Sequence, residues 1–397
     1  MRFLRGRELR AGDNAPDTVR SAIAEFEQAV ALDPAFTAAW TELARAKLEA
    51  FRGGGLLASD VKAAARAVAA AVRLAPDFPD TRLASGRYQD VGVGNQSSAL
   101  AEYRAGLAIA PNHSDLLRST ASLEMRLGML DEGVGRLEHL AEIDPRSADG
   151  ALALGVAYAR LWRYADAGAA LDRARALRPS SVAIGYMRAR LAAARGDLSG
   201  VQQEIRAMES SAGPRRVMGY LALRENILFT LDDRQQQVLL SLTPADLDGG
   251  KADWALAETS WLRHDGAQTR SYGEVAAAAY GQLLEGWAQA GDREEVMILR
   301  AYSLAYAGRG GEAIAEAERA LALERQLGLR NAYLSFIFAR ICVLANTPDE
   351  AIDQLEETLR RRDFFSREWL RIDSTFAPLR ANPRFQRLVS SSGSAKE

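Results

Sequence analysis

Apolar and small residues recur along this chain at helical spacing, and no stretch shows the two-residue alternation of a strand. The cleanest run extends from about Ala148 to Pro179. Leu154-Gly155 is followed by Tyr158, and after a polar turn Ala167, Leu171 and Ala174 repeat the same three- and four-residue steps. This predicts two helices joined by a short turn. Gly155, Ala167 and Ala174 are small enough for the two backbones to approach, while Leu154, Tyr158 and Leu171 fill the space between them. Pro179 ends the second helix, because proline has no N–H to donate and cannot continue a helix.

The same phrase returns along the chain. Leu32-Asp33-Pro34, Leu74-Ala75-Pro76, Ile109-Ala110-Pro111, Ile143-Asp144-Pro145 and Leu177-Arg178-Pro179 are spaced by 42, 35, 34 and 34 residues. The long first interval contains about eight extra residues, Arg52 to Ser59, whose glycine run reads as a loop between two helices of one repeat. Partial copies carry Ala22, Phe26 and Ala29; Trp40, Leu43 and Ala44; Ala64, Val68 and Ala71; Gly86, Ala99 and Tyr103; Leu117, Ala121, Leu137 and Leu140. A weaker sixth copy has Ala189, a Gly196-Asp197 turn, Ile205 and Pro214. Small–large in the first helix, small–large–small in the second and proline at the end, on a period near 34, resembles the tetratricopeptide repeat family. The resemblance implies an all-α, right-handed superhelical solenoid of stacked helix-turn-helix pairs.

Beyond Arg215 the signature fades. Two helices are expected between Arg215 and Gly250, with a loop at Leu242-Thr243-Pro244-Ala245-Asp246. Longer pairs follow: about Ala252–His264 with Thr269–Ala290, Arg293–Ala307 with Gly311–Leu327, and Asn331–Ala345 with Asp349–Arg361. Phe364 to Leu388, with Trp369, Leu370, Ile372, Phe376, Leu379, Phe385 and Leu388, reads as a C-terminal cap over the last open core face. The expected organisation is a solenoid over 1–214, an irregular helical connection over 215–250, divergent pairs over 251–363, a cap over 364–390 and a disordered tail over 391–397, about ten helix pairs in all. Residues 215–250 read equally as a bend or as a boundary.

Charge and composition narrow the function classes. Net charge is −2 and the pI is near 6.1, whereas binders of nucleic acid or of membrane surfaces usually carry a basic excess. No run of 18 apolar residues is present, and the opening Met1 to Glu8 is charged and lacks a signal-peptide core. A cytoplasmic chain is the expectation. Cys342 lies in the apolar helical phrase Phe336-Ile337-Phe338-Ala339-Arg340-Ile341-Cys342 and reads as a buried structural thiol. His113, His139 and His264 are far apart and none has metal-ligand neighbours at a telling spacing, so they read as surface or structural histidines. Gly53-Gly54-Gly55 and Gly308-Arg309-Gly310-Gly311 lack the Lys-Ser/Thr of a phosphate loop, and no Gly-x-Ser-x-Gly elbow occurs. No catalytic, cofactor or metal residues are expected.

The family resemblance implies that first helices line a concave groove. On that pattern Arg45, Arg87 and Arg190 share one repeat position, while Arg118, Arg126 and Arg160 fall at neighbouring groove positions. Such a strip suits a carboxylate-rich peptide, because guanidinium pairs with carboxylate bidentately. Arginine supplies all but four of the 50 basic residues, so several would fall in a groove by chance. Family members that clamp a C-terminal carboxylate use Lys and Asn where this chain has Arg118-Ser119 and Leu152-Ala153, which argues against that mode.

A narrower resemblance rests on Phe3-Leu4-Arg5-Gly6-Arg7, on Ala22 to Pro34, and on the ending Trp369-Leu370-Arg371-Ile372-Asp373 and Phe376 to Leu388. These phrases are similar to the C-terminal tetratricopeptide region of bacterial signalling proteins: adenylate-cyclase-like proteins, winged-helix regulators and serine/threonine kinases. In those proteins an effector domain precedes the repeats, whereas here the repeats start at the first residues. The expectation is a non-catalytic scaffold or adaptor that binds a protein or peptide. The alternative is the sensory region of a signalling protein without its effector domain. Oligomeric state is not legible.

Overall fold

Each of the five period-setting prolines falls two residues past the end of a helix, and those helices end at Leu32, Leu74, Ile109, Ile143 and Leu177. The residue before the proline still donates a helical bond, as Asp33 N–H does to Ala29 at 3.0 Å and Arg178 N–H does to Ala174 at 3.0 Å. Proline then has nothing to donate and the chain turns. The computed structural model describes residues 1–11, 16–52, 58–224, 227–243, 246, 252–286 and 293–390. The Gly53-Gly54-Gly55 loop, Pro244-Ala245, Gly250 and the tail 391–397 lie outside the described residues.

Among the described residues every regular element is a helix. In order they are α1 (Arg2–Ala11), α2 (Pro16–Leu32), α3 (Thr37–Arg52), α4 (Ala58–Leu74), α5 (Pro79–Arg87), α6 (Gln96–Ile109), α7 (Ser114–Arg126) and α8 (Leu130–Ile143). There follow α9 (Ala148–Arg160), α10 (Tyr164–Leu177), α11 (Val182–Ala194), α12 (Leu198–Ala212), α13 (Pro214–Ala222), α14 (Asp233–Leu240) and α15 (Asp253–Leu262). The remainder are α16 (Gly266–Gly286), α17 (Arg293–Tyr306), α18 (Gly310–Gln326), α19 (Ala332–Leu344), α20 (Pro348–Arg361), α21 (Arg367–Ile372) and α22 (Pro383–Ser390). Helices α1 to α20 make ten successive pairs, an all-α solenoid architecture. The expected pairs of the C-terminal half start and stop within a few residues of their predicted bounds, except that the predicted end at Ala290 lies outside the described residues.

The turn inside a pair is also repeated. Gly128, Trp162, Gly196, His264, Gly308 and Asn346 each lie two residues past a first helix, and all take positive φ between 59° and 82°. Glycine adopts this left-handed conformation without a Cβ penalty, and asparagine tolerates it better than most residues. Histidine at His264 also adopts it more readily than most residues, whereas Trp162 holds it against that preference.

Gly-to-large contacts bring the helices of a pair together. A Cβ on Gly155 would lie 2.7 Å from Leu171, and one on Gly86 would lie 2.4 Å from the Tyr103 ring. One element has no counterpart in the sequence reading. After α5 the chain makes a π-helical turn, Tyr88–Val93, closed by Gly94 at φ 77°. Such turns insert an extra residue into a helix and redirect side chains. Here the turn carries the buried Asp90.

The chain divides into two compact units. The first is Met1–Ile143 with Leu283–Arg293, the second Asp144–Gln282 with Glu294–Glu397. In the first unit, Val19, Ala22, Phe26, Leu43, Ala44 and Val68 build a core against which Phe3, Phe36 and Trp40 pack. Consecutive first helices α3, α5 and α7 are neighbours there. In the second unit the expected cap residues Trp369, Leu370, Phe376, Leu379 and Phe385 are buried, and Ile372 and Leu388 are half-buried. Phe336 of α19 stacks on Phe365 at 3.8 Å and meets Trp369 and Phe376 edge-on. From this C-terminal stretch α21 also packs on α11.

Candidate partner-binding site

In the first unit the face of α3, α5 and α7 carries four of the six expected groove arginines. They are not free cations. Arg45 is 2% exposed and donates to Glu42 at 3.1 Å and also to Asp115. Arg87 donates to Glu49 at 2.8 Å, Arg118 to Asp115 at 2.9 Å and Arg126 to Asp90 at 2.9 Å. Arg10 of α1 joins Glu42 and Glu49. Arg45 also lies 3.8 Å from Asp80. Five arginines (Arg10, Arg45, Arg87, Arg118, Arg126) therefore meet five carboxylates (Glu42, Glu49, Asp80, Asp90, Asp115), and the formal charges cancel.

The network sets the chemistry of this face. Burial would raise the Asp115 carboxyl, but the guanidiniums of Arg45 and Arg118 outweigh it and hold it well below the usual carboxylate range. His113 caps α7: its Nδ1 accepts from Leu116 N–H at 3.3 Å while Nε2 lies 3.4 Å from Asp80. Both ring nitrogens are engaged, as a structural histidine requires. The most exposed groups of the network are Asp115, Arg118 and Asp80, with side chains 35%, 33% and 27% exposed. This face presents half-exposed charges of both signs, with Arg45 buried beneath them.

The other two arginines sit in the second unit, Arg160 at the end of α9 and Arg190 within α11. Arg160 Nε lies 3.2 Å from Asp363 Oδ2, and Arg190 lies 3.8 Å from Oδ1 of the same carboxylate. Arg190 also covers the Phe364 ring at 4.1 Å. Trp162 Nε1 donates to the Asp363 carbonyl at 2.7 Å, and Ser366 Oγ donates to the Ala194 carbonyl at 2.5 Å. The chain's own segment between α20 and α21 thus lies on this face. Its residues are about 200 positions away from the helices it meets, beyond the reach of any spacing argument.

A third cluster was missed by the sequence reading, which took Arg340 as part of an apolar helix face. Arg340 is fully buried and donates to Glu258 at 3.2 Å, to Tyr302 Oη at 3.3 Å and to Asp373 at 2.7 Å. Tyr302 donates to Glu258 at 3.1 Å and shares a 2.6 Å bond with Tyr306. Burial drives both phenols well above their usual range. A cation within a strongly apolar helix is the one signal that could have found this cluster, since a buried arginine requires carboxylate partners.

Cys342 is buried, as the sequence predicts, and burial pushes its thiol up to about 12. His139 meets Asn112 at 2.9 Å, and His264 occupies a turn. Among the described residues no group of three or more His, Cys, Asp or Glu side chains is placed to hold a metal ion, and no helix is long and apolar enough to cross a membrane.

Fold and faces together define a helix-pair repeat protein of the all-α solenoid class, with polar networks on its first-helix faces. No family model matches the chain, and no curated protein matches it. Among solved structures it is similar to a tetratricopeptide repeat protein from Parabacteroides merdae, at 15% identity over 72% of this chain and 93% of that one, with a TM-score of 0.39. It is also similar to human IFIT1, solved as a dimer with m7Gppp-AAAA, at 14% identity over 89% and 70% with a TM-score of 0.47. A third is pilF of Pseudomonas aeruginosa, at 15% identity over 64% and 95% with a TM-score of 0.37.

Proposed function

We propose that this chain is a non-catalytic scaffold that holds a partner protein or peptide on its first-helix faces. The observation that carries the reading is the α3–α5–α7 face. Three consecutive helix pairs contribute to one preformed charged network whose outer members, Asp80, Asp115 and Arg118, remain half-exposed. A surface already held in place by its own ion pairs loses little side-chain freedom on binding, which favours association. Mixed signs at the rim supply orientation and selectivity more than raw affinity.

The test is capture of bound proteins on immobilised full-length chain, read by mass spectrometry. Wild type is compared with Arg118→Ala and with Asp80→Ala, both half-exposed positions, after circular dichroism has shown each variant folded. A partner held by wild type and lost by either variant supports the assignment. Identical partners on all three surfaces overturn it.

A further inference from the structure

Arg160 and Arg190 bring two guanidiniums to the face of α9 and α11, and the recorded ion pairs of both go to the single Asp363 carboxylate. The match is poor. Arg160 Nε is close to Asp363 yet not aligned for a hydrogen bond, and Arg190 Nε is buried without a partner. Arg190 Nη1 has only the Met187 sulfur, at 3.9 Å, which is a weak acceptor. Guanidiniums in largely buried sites ordinarily engage carboxylates in short, often bidentate bonds. This face is short of acceptors, and its two cations meet one anion.

The segment that supplies Asp363 is bound the way a receptor holds a peptide. It is non-helical between α20 and α21. One of its backbone carbonyls accepts from Trp162, the Phe364 ring lies under Arg190, and Ser366 reaches the end of α11. It is entered through Arg362 at φ 52°, a left-handed conformation that disfavours a residue with a Cβ.

We propose that the α9–α11 face is a binding site for an acidic peptide carrying an aromatic residue, and that residues 362–364 occupy it in cis as an incomplete ligand, anchored by Phe365, which stays stacked on Phe336. The proposal rests on the scaffold reading and names the partner chemistry for this second face. A peptide with two neighbouring carboxylates beside an aromatic ring places one carboxylate on Arg160 and the other on Arg190, while its ring takes the position of Phe364. The tethered strap competes with it at the high effective concentration of an intramolecular ligand, so external affinity is set by release of the strap.

The experiment uses two fluorescent peptides against the full chain, read by anisotropy. One copies Arg362 to Trp369. The other carries Arg362→Asp and so presents two adjacent carboxylates. The doubly acidic peptide is expected to bind at least tenfold more tightly than the copy. Asp363→Asn in the protein is expected to tighten it about tenfold further, and Arg190→Met to abolish binding while the fold is kept. Hydrogen exchange on the bound complex should show residues 363 and 364 opening while α19 stays protected. Failure of folded Asp363→Asn protein to bind either peptide overturns the proposal. If that variant does not fold, wild-type exchange decides the matter. Strap amides that exchange no faster than those of α19 mark the strap as permanent core and overturn it too. Partner capture that remains sensitive to Asp80 and Arg118, with no peptide bound here, sinks this inference and leaves the scaffold reading standing.

Discussion

Arg340 and Asp373 pair at 2.7 Å with both side chains fully buried. Glu258 approaches the same guanidinium from α15, so one buried cation holds two carboxylates from distant parts of the second unit. Removing one member of such a network leaves an uncompensated buried charge, which costs about 3–5 kcal/mol. Arg340→Met is therefore expected to destabilise the second unit by that amount in urea unfolding. Adding Glu258→Gln and Asp373→Asn should recover part of the loss, because the stranded carboxylates are then gone. A triple variant no more stable than Arg340→Met would refute the account.

Gly86 sits under Tyr103. A methyl there would lie 2.4 Å from a ring that is itself buried. Gly86→Ala gains up to about 1 kcal/mol of helix propensity but overpacks the pair by about 1–3 kcal/mol, so the net effect is a loss. Pairing it with Tyr103→Leu should restore stability, as read by the urea midpoint.

Acid should act on the first unit through Asp115. Its carboxyl is depressed in the folded state, so it contributes stability above its unfolded pKa of about 4, and that contribution is lost as pH falls through the folded value. Below pH 4 the unfolding free energy of wild type is expected to fall more steeply than that of Asp115→Asn. Parallel curves would show that Arg45 and Arg118 contribute nothing through this carboxylate.

Cys342 should be silent toward a thiol reagent at pH 8 in the native protein, because burial leaves almost no thiolate. Labelling is expected only in denaturant, at the rate of an ordinary cysteine. Fast labelling of the native chain would show that α19 opens.

Much of the architecture was legible because it is local. Pro34, Pro76, Pro111, Pro145 and Pro179 stop helices wherever they fall, and Gly155 facing Leu171 follows from helical periodicity inside one pair. The burial of Cys342, Trp369 and Phe376 was readable for the same reason, since apolar faces announce burial through their spacing. The π-helical turn at Tyr88–Val93 was not readable, because it spans only six residues at the end of α5, too few to set a period of its own.

By itself the sequence determined the helix pairs, where each pair stops and the small-against-large packing that joins them. Only the tertiary structure decided what the arginines do. Arg45 is spent on Asp115, 70 positions away, and Arg340 on Glu258, 82 positions away; Arg160 and Arg190 meet a carboxylate from the far end of the chain. Burial of apolar groups is non-directional and leaves a period in the sequence. Pairing of buried charges is directional and depends on which residues meet in space, and that leaves no period to read.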